Sequence, residues 1–554
     1  MRQGAGSEAT MRGGDMRSRL VSMVLIAVFA IIAARAGSLA MSGAAPVMQT
    51  AAMAASEEPV RRADITDRQG ALLATSVLVY SVYADPRAIG DGAIVAEALS
   101  GIFPDINTER LTARLNDPSR AFVWVKRGVT PRQRQAVFEL GLEGIGFREE
   151  YRRAYPKGTL AGHVVGYAGA DGQGLGGLEF ALDERLAAGG EAVAVTIDAN
   201  VQFHVEAELA AGVAEYGAEA GAAIVLGARS GDVLAMASWP PLDPHRATQI
   251  ASDDPARLNR ASDAVYELGS VFKPLTIAGA LDAGAIRPSD RFDVREPIKI
   301  AGRTIRDDHP LNGRATALEI LAESSNIGTV KVAWQLGARR QEELLRALGL
   351  FERAQIELAG SARPILPEAF DDLSLATASY GHGLAVSPLA FAGAFSALAN
   401  GGERIQPTLL LGGSDEPISH RVMSAPTAAL VTAMMLRAVT EGTGSRADVP
   451  GYRVAGKTGT AEKPIPGGYS DDENMCSFAA IFPADSPEYV VLVVLDSPEA
   501  GTDRGRTAAW NAAPTAGRVI DRIAPILGVE PVFDAPQPGD PQVRSVSAKR
   551  RNAL

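Results

Sequence analysis

Three short stretches of this chain carry side chains that together suit acyl transfer. They are Ser270-Val271-Phe272-Lys273, Ser324-Ser325-Asn326 and Lys457-Thr458-Gly459-Thr460, in that order. A serine hydroxyl is a poor nucleophile at neutral pH and needs an adjacent base. Three residues is slightly less than one helical turn, so Ser270 and Lys273 share a helix face. A lysine acts as a base only when its ammonium is destabilised, which burial and a neighbouring cation such as Lys457 would achieve. Ser324 is suited to relay a proton between Lys273 and a leaving amine, and the Asn326 amide to hold the lysine or a substrate carbonyl. In a strand, Lys457 and Gly459 point one way while Thr458 and Thr460 point the other. Gly459 is expected to leave room for substrate beside the backbone. An edge strand at this point would pair with an extended peptide, and a lysine beside threonine hydroxyls suits a terminal carboxylate.

Each stretch alone has an ordinary explanation: a surface lysine on an amphipathic helix, polar helix caps, a glycine turn. The order and spacing of all three, 54 positions from Ser270 to Ser324 and 131 from Asn326 to Lys457, argue for one site. The surrounding residues must position them. Gly269 suits a tight turn into a helix, and Pro274 is tolerated only in a first turn. Ser270 is therefore expected at a helix N-terminus, where the dipole favours developing negative charge. The Lys-Thr-Gly stretch comes after the strand-like Tyr452-Arg453-Val454-Ala455. Residues 201–214 read as an amphipathic helix. Two hairpins are expected: 222–226 with 233–237 around Arg229-Ser230-Gly231-Asp232, and 477–482 with 489–495. Strands at both ends with helices between them predict an α+β domain whose antiparallel sheet joins its N- and C-terminal segments. Ahead of it, residues 75–84 read as a strand ending at Asp85-Pro86, residues 92–142 as helical, and 158–177 as a glycine-rich stretch before a helix running to Leu186.

With 554 residues the chain is too long for one compact core. Its formal net charge of -11, with no basic stripe, argues against nucleic acid as a partner. The single cysteine, Cys476, closes no internal disulfide and reads as a small buried hydrophobe. The six histidines, at 163, 204, 245, 309, 382 and 420, lack the close spacing of metal ligands, so neither metal nor cofactor is expected. Four arginines lie in residues 1–19, ahead of an apolar run from Leu20 to Ala34. A cleaved signal peptide and a retained anchor both fit. An anchor of about 20 residues must include Arg35 and run to about residue 42. Arg35 then needs to snorkel or meet a partner. The preceding arginines place the N-terminus in the cytoplasm, and the chain beyond residue 42 is exported in either case. The organisation expected is a cytoplasmic tail (1–19), a transmembrane anchor (20–42), an elongated pedestal module (43–195), a catalytic domain (196–530) and a mobile tail (531–554).

At these motifs the chain resembles the class B penicillin-binding proteins, which are peptidoglycan D,D-transpeptidases. Further likenesses are Asp64-Ile65-Thr66-Asp67-Arg68-Gln69-Gly70, Tyr155-Pro156, His163-Val164-Val165-Gly166-Tyr167 and Gly177-Leu178-Glu179, which resemble pedestal motifs. Gly383, Asn400-Gly401-Gly402 and Glu441-Gly442-Thr443-Gly444 also fit. One departure is Leu268, where the family usually has proline. The compact pedestal and Asp171-Gly172-Gln173-Gly174-Leu175 look most like the division-type, FtsI-like branch. The resemblance implies a serine β-lactamase-like fold and a stem peptide ending in D-alanyl-D-alanine as donor. Ser270 would be acylated, Lys273 would take its proton, and Ser324 would protonate the leaving D-alanine. The N–H groups of Ser270 and Thr460 would form an oxyanion hole. Lys457, Thr458 and Thr460 would hold the carboxylate of substrate or β-lactam. It also implies partners: a SEDS-family glycosyltransferase and divisome proteins at the bacterial inner membrane.

Three other readings compete. An elongation-type transpeptidase has the same chemistry. A β-lactamase or D,D-carboxypeptidase would need a deacylating water, and no Glu-x-x-Leu-Asn stretch is present to position one. A non-catalytic β-lactam sensor would tolerate loss of Ser270.

Overall fold

The computed structural model describes residues 23, 25–35, 60–413, 417–465, 467–499 and 506–533. They fall into two units, one ending at Val60 and one beginning at Arg61. In the first, residues 25–35 form an exposed helix. The rest of the expected anchor, and the tail beyond 533, lie outside the described residues. Among the described residues no helix is long and apolar enough to cross a membrane.

The second unit begins with strands β1 (Ile65–Thr66), β2 (Leu72–Ala84), β3 (Val123–Val129), β4 (Ile145–Ala154) and β5 (Val193–Ala194). β2 pairs antiparallel with β1, β3 and β4, and β1 pairs in parallel with β5. Helices α1 (Gly92–Ser100), α2 (Thr108–Leu115) and α3 (Pro131–Glu139) close a small core around Leu99, Phe103, Leu111, Leu115 and Val82. The helical reading of 92–142 therefore missed β3. That strand has charged Lys126 and Arg127 between its valines, which hides a period of two. The helix expected to run to Leu186 instead breaks at Leu182 into two five-residue turns, Gly177–Ala181 and Asp183–Ala187.

The pedestal-like motifs have structural duties. Asp67 accepts hydrogen bonds from Gln69 N, Ala71 N and Ala199 N at 2.9, 2.7 and 3.1 Å. It thus closes its own turn and fixes the start of α4 (Ala199–Tyr216), the helix foreseen at 201–214. Glu179 is fully buried. It receives Arg62 Nε at 2.7 Å and Arg153 Nε at 2.5 Å, while a second Arg62 nitrogen reaches Asp183 at 2.7 Å. Removing one partner of a buried charge network leaves the other unpaired. Arg62→Ala is therefore expected to cost ~3 kcal/mol or more, read as a lower thermal midpoint. Arg61→Ala, at an exposed pair with Asp64, should change it little.

The remaining residues fold around an antiparallel sheet of β6 (Ala220–Gly227), β7 (Val233–Trp239), β8 (Ala455–Ile465), β9 (Gly468–Phe482) and β10 (Tyr489–Asp496). Its order is β8-β9-β10-β6-β7, so the two expected hairpins meet along β10 and β6. β8 is an edge strand, in register Lys457↔Ala479 and Thr460↔Cys476 with β9. Alternate residues of β10 enter different cores. Val491, Val493 and Leu495 pack with α4 and α10 (Ala512–Ile523), while Val490, Leu492 and Val494 face the helical side. That side holds α5 (Lys273–Asp282), α6 (Ala317–Ala322), α7 (Asn326–Leu336), α8 (Pro388–Ala399) and α9 (Ala425–Thr440). Burial on both faces explains why β10 reads as a continuous apolar run. The helical-side core is continuous with Ala63, Ile65, Leu178 and Leu186, so the base of the N-terminal segment shares its packing with the catalytic part.

Candidate active site

Ser270 lies in a single 3-10 turn, Gly269–Phe272, that leads directly into α5 with Pro274 in its first turn. Gly269 has φ 63°, and a Cβ there would stand 2.8 Å from Thr460 O. The turn therefore presses against β8 as only glycine allows. Ser270 lines a cleft of about 840 Å³ together with Asn326, Thr460, Arg303, Tyr380 and His382. α5 is apolar and buried nearly all round, which carries Lys273 inside with it.

Both site lysines are fully buried. Lys273 Nζ donates to Ser324 O and, at 3.1 Å, to Ser324 Oγ. Lys457 Nζ donates to the same Oγ at 2.9 Å, and to Thr458 O and Oγ1 at 2.8 and 3.1 Å. One hydroxyl thus bridges two lysines and keeps its own proton to donate. Ser324 reaches this position with φ 59°, a left-handed backbone that a non-glycine residue adopts at a cost. Burial pushes Lys273 down to about 7, with Asp307 and Asp308 opposing. Burial, and next the Lys273 charge, hold Lys457 well below the usual lysine range. The Lys273 backbone N–H donates to Ser270 O, but among the described residues no side-chain hydrogen bond joins the two. The lysine is seated on Ser324, one turn from the nucleophile candidate.

Asn326 opens α7, and its Nδ2 donates to Arg306 O at 2.9 Å. Among the described residues no hydrogen bond joins it to Lys273, which Ser324 holds instead. Thr458 Oγ1 contacts Thr443 Oγ1 at 3.1 Å, and Thr460 Oγ1 accepts Ala508 N–H at 3.0 Å. The expectation for Gly459 needs correction. A Cβ there would lie 2.2 Å from Leu268 O and 2.4 Å from Ser477 Oγ. The space beside Gly459 is filled by the chain before the nucleophile turn and not left for substrate. Cys476 is buried behind the strand, its thiol pushed up to about 12 by burial. Among the described residues no group of three or more His, Cys, Asp or Glu side chains is gathered as metal ligands would be.

Asp307 gave no sign of itself in the sequence. It comes after the hairpin Ile298–Ile300/Arg303–Ile305 and accepts from Ser325 Oγ at 2.7 Å and Ile327 N at 2.9 Å. These bonds clamp the loop that carries Ser324. Asp307→Asn removes a negative charge that favours the Lys273 ammonium. The pH midpoint of acylation should therefore move to lower pH, while loosening of the loop lowers the plateau rate by ~10-fold. A pH–rate profile of β-lactam acylation checks both.

Two family models match the chain: the penicillin-binding protein transpeptidase domain over residues 221–518 and the penicillin-binding protein dimerisation domain over 57–203. The chain is 41% identical over 485 residues to a Caulobacter vibrioides protein named "Probable peptidoglycan D,D-transpeptidase FtsI", covering 85% of this chain and 82% of that one. It is 31% identical to the Escherichia coli peptidoglycan D,D-transpeptidase FtsI, covering 86% and 85%. A crystal structure of Mycobacterium tuberculosis penicillin-binding protein 3 with ampicillin superposes with TM-score 0.68 at 28% identity, over 87% of this chain and 98% of that one. Motifs, fold and relatives agree, and the chain belongs to the penicillin-binding transpeptidases, in their FtsI-like branch.

Proposed function

We propose that Ser270 is the acylated nucleophile of a peptidoglycan D,D-transpeptidase that cross-links stem peptides during septal wall synthesis. The observation that carries this reading is the Ser324 hydroxyl held between two buried lysines, Lys273, one turn from Ser270, and Lys457. In this reading un-ionised Lys273 takes the Ser270 proton as Oγ attacks the carbonyl between the two D-alanines. The N–H groups of Ser270 and Thr460 hold the oxyanion. Ser324, hydrogen-bonded to both lysines, passes a proton to the departing D-alanine. An amine of a second stem peptide then attacks the acyl-serine, closing the cross-link and returning the proton to Ser270. Lys457, Thr458 and Thr460 bind the terminal carboxylate, and Asn326 borders the peptide's path. β-Lactams acylate the same serine.

The naming of the FtsI relatives supports the septal role. We assign residues 43–195 to a pedestal and 196–530 to the transpeptidase domain. The apolar run after four arginines supports a single inner-membrane span with the catalytic domain in the periplasm. A SEDS-family glycosyltransferase and divisome proteins are the partners this arrangement suits. Intact mass after penicillin treatment, with peptide mapping of the adduct, tests the assignment. One adduct on the peptide containing Ser270 is expected, and an adduct elsewhere overturns it. A long-lived adduct separates transpeptidase from β-lactamase, which would release the drug rapidly.

A further inference from the structure

Glu267 is a buried carboxylate that the acyl-transfer chemistry leaves unused. It sits three residues before Ser270 and is 8% exposed. Among the described residues no lysine or arginine forms an ion pair with it. A carboxylate removed from water without a cation is costly unless donors satisfy it, and this one's polar neighbours come from two separate walls of the cleft. Tyr469 Oη, near the tip of the β8–β9 hairpin, lies 3.0 and 3.3 Å from its two oxygens and donates to the carboxylate. On the other side the loop 380–383 approaches it, with His382 Nδ1 3.8 Å from Oε2 and the neighbouring Gly383 N–H favouring its charged form.

That loop also abuts the nucleophile turn. Gly269 N–H donates to Gly381 O at 3.2 Å, and a Cβ on Gly381 would lie 2.2 Å from Gly269 O. Tyr380, His382, Gly383 and Tyr469 line the same cleft as Ser270. One carboxylate therefore joins the segment carrying the nucleophile, the loop facing it and the hairpin over the edge strand.

We propose that Glu267 is a positioning residue for acyl transfer: through Tyr469 and the loop 380–383 it fixes the separation of the two cleft walls between which an extended peptide must lie. The proposal rests on Ser270 as nucleophile. Only a carboxylate supplies two equivalent acceptor oxygens. A glutamine keeps one and turns an N–H₂ toward a neighbouring donor. Binding should suffer more than chemistry, because the lysines and Ser324 do not touch Glu267.

The test is a double-mutant cycle in the full-length protein. Glu267→Gln, Tyr469→Phe and the double variant are compared by stopped-flow acylation with nitrocefin, separating the non-covalent dissociation constant from the acylation rate constant. Each single change is expected to raise the dissociation constant ~10-fold, the scale of a hydrogen bond to a charged group, with the rate constant held within about threefold. The double variant should lose no more than the worse single one, because both remove the same link. Dissociation constants that stay at the wild-type value, losses that multiply, or a loss confined to the rate constant would each overturn the proposal. Tyr469→Phe keeps the test decisive should Glu267→Gln fold poorly. Wild-type protein that acylates elsewhere than Ser270 would instead overturn the underlying assignment.

Discussion

Ser270→Ala is expected to abolish covalent labelling by penicillin and to lower transpeptidation by about 10⁴-fold or more, the scale seen when a serine nucleophile is removed. The fold should not register the change. Among the described residues the Ser270 side chain makes no hydrogen bond, and it borders an open cleft. Its loss should therefore stay within about 0.5 kcal/mol of wild-type stability, as for a surface substitution. Two measurements separate chemistry from folding: a thermal midpoint that does not move and an adduct that disappears from the intact-mass spectrum. Complementation adds a third, since the variant should fail to replace the wild-type chain in cells. A sensor or scaffold would still work without the hydroxyl, so survival on the alanine variant would restore that reading. Labelling that persists at wild-type rate would show that another residue is acylated.

The range of the interactions involved decides how much of the site is legible in the sequence. Ser270 and Lys273 are three apart, and the helical repeat alone places them together. Lys457 and Gly459 alternate with Thr458 and Thr460 because a strand has a period of two. What stayed hidden is non-local. Motif order paired Ser324 with Lys273, but not its bridge to Lys457, 133 positions away, nor its left-handed backbone between α6 and α7. Asp307 meets Ser325 because a short hairpin folds over that loop, and no periodicity marks it. Glu267 meets Tyr469 across 202 positions. Gly459 was read in the right strand but for the wrong neighbour. Spacing shows that a side chain must be absent there, yet not that Leu268 O occupies the gap. The same limit explains β3, a strand whose pairing with β2 depends on contacts far along the chain.

Lys273 should govern the pH dependence of both rate and stability, in ways that tie the base to its burial. Attack needs the un-ionised amine, and burial brings this lysine down to about 7. Acylation should therefore rise about tenfold per pH unit below that value and level off above it. Lys273→Arg retains a cation that does not deprotonate, so acylation should fall by ~10³-fold or more at every pH. Lys273→Met should be equally inactive yet more stable at neutral pH. An unfolded lysine titrates near its ordinary value of 10.5, whereas the folded one titrates near 7. Between these values the unfolded chain binds more protons, so wild-type stability rises with pH across that window. Below about 7 the whole cost of burying the ammonium remains, at most ~5 kcal/mol at ~1.4 kcal/mol per pKa unit. Loss of the bonds to Ser324 offsets part of it. The methionine variant's advantage should accordingly be largest at pH 6 and shrink toward pH 10, as read from denaturant midpoints. An advantage that grows with pH, or an acylation rate flat from pH 5 to 9, would mean that Lys273 does not titrate near 7 and that its deprotonation does not set the rate.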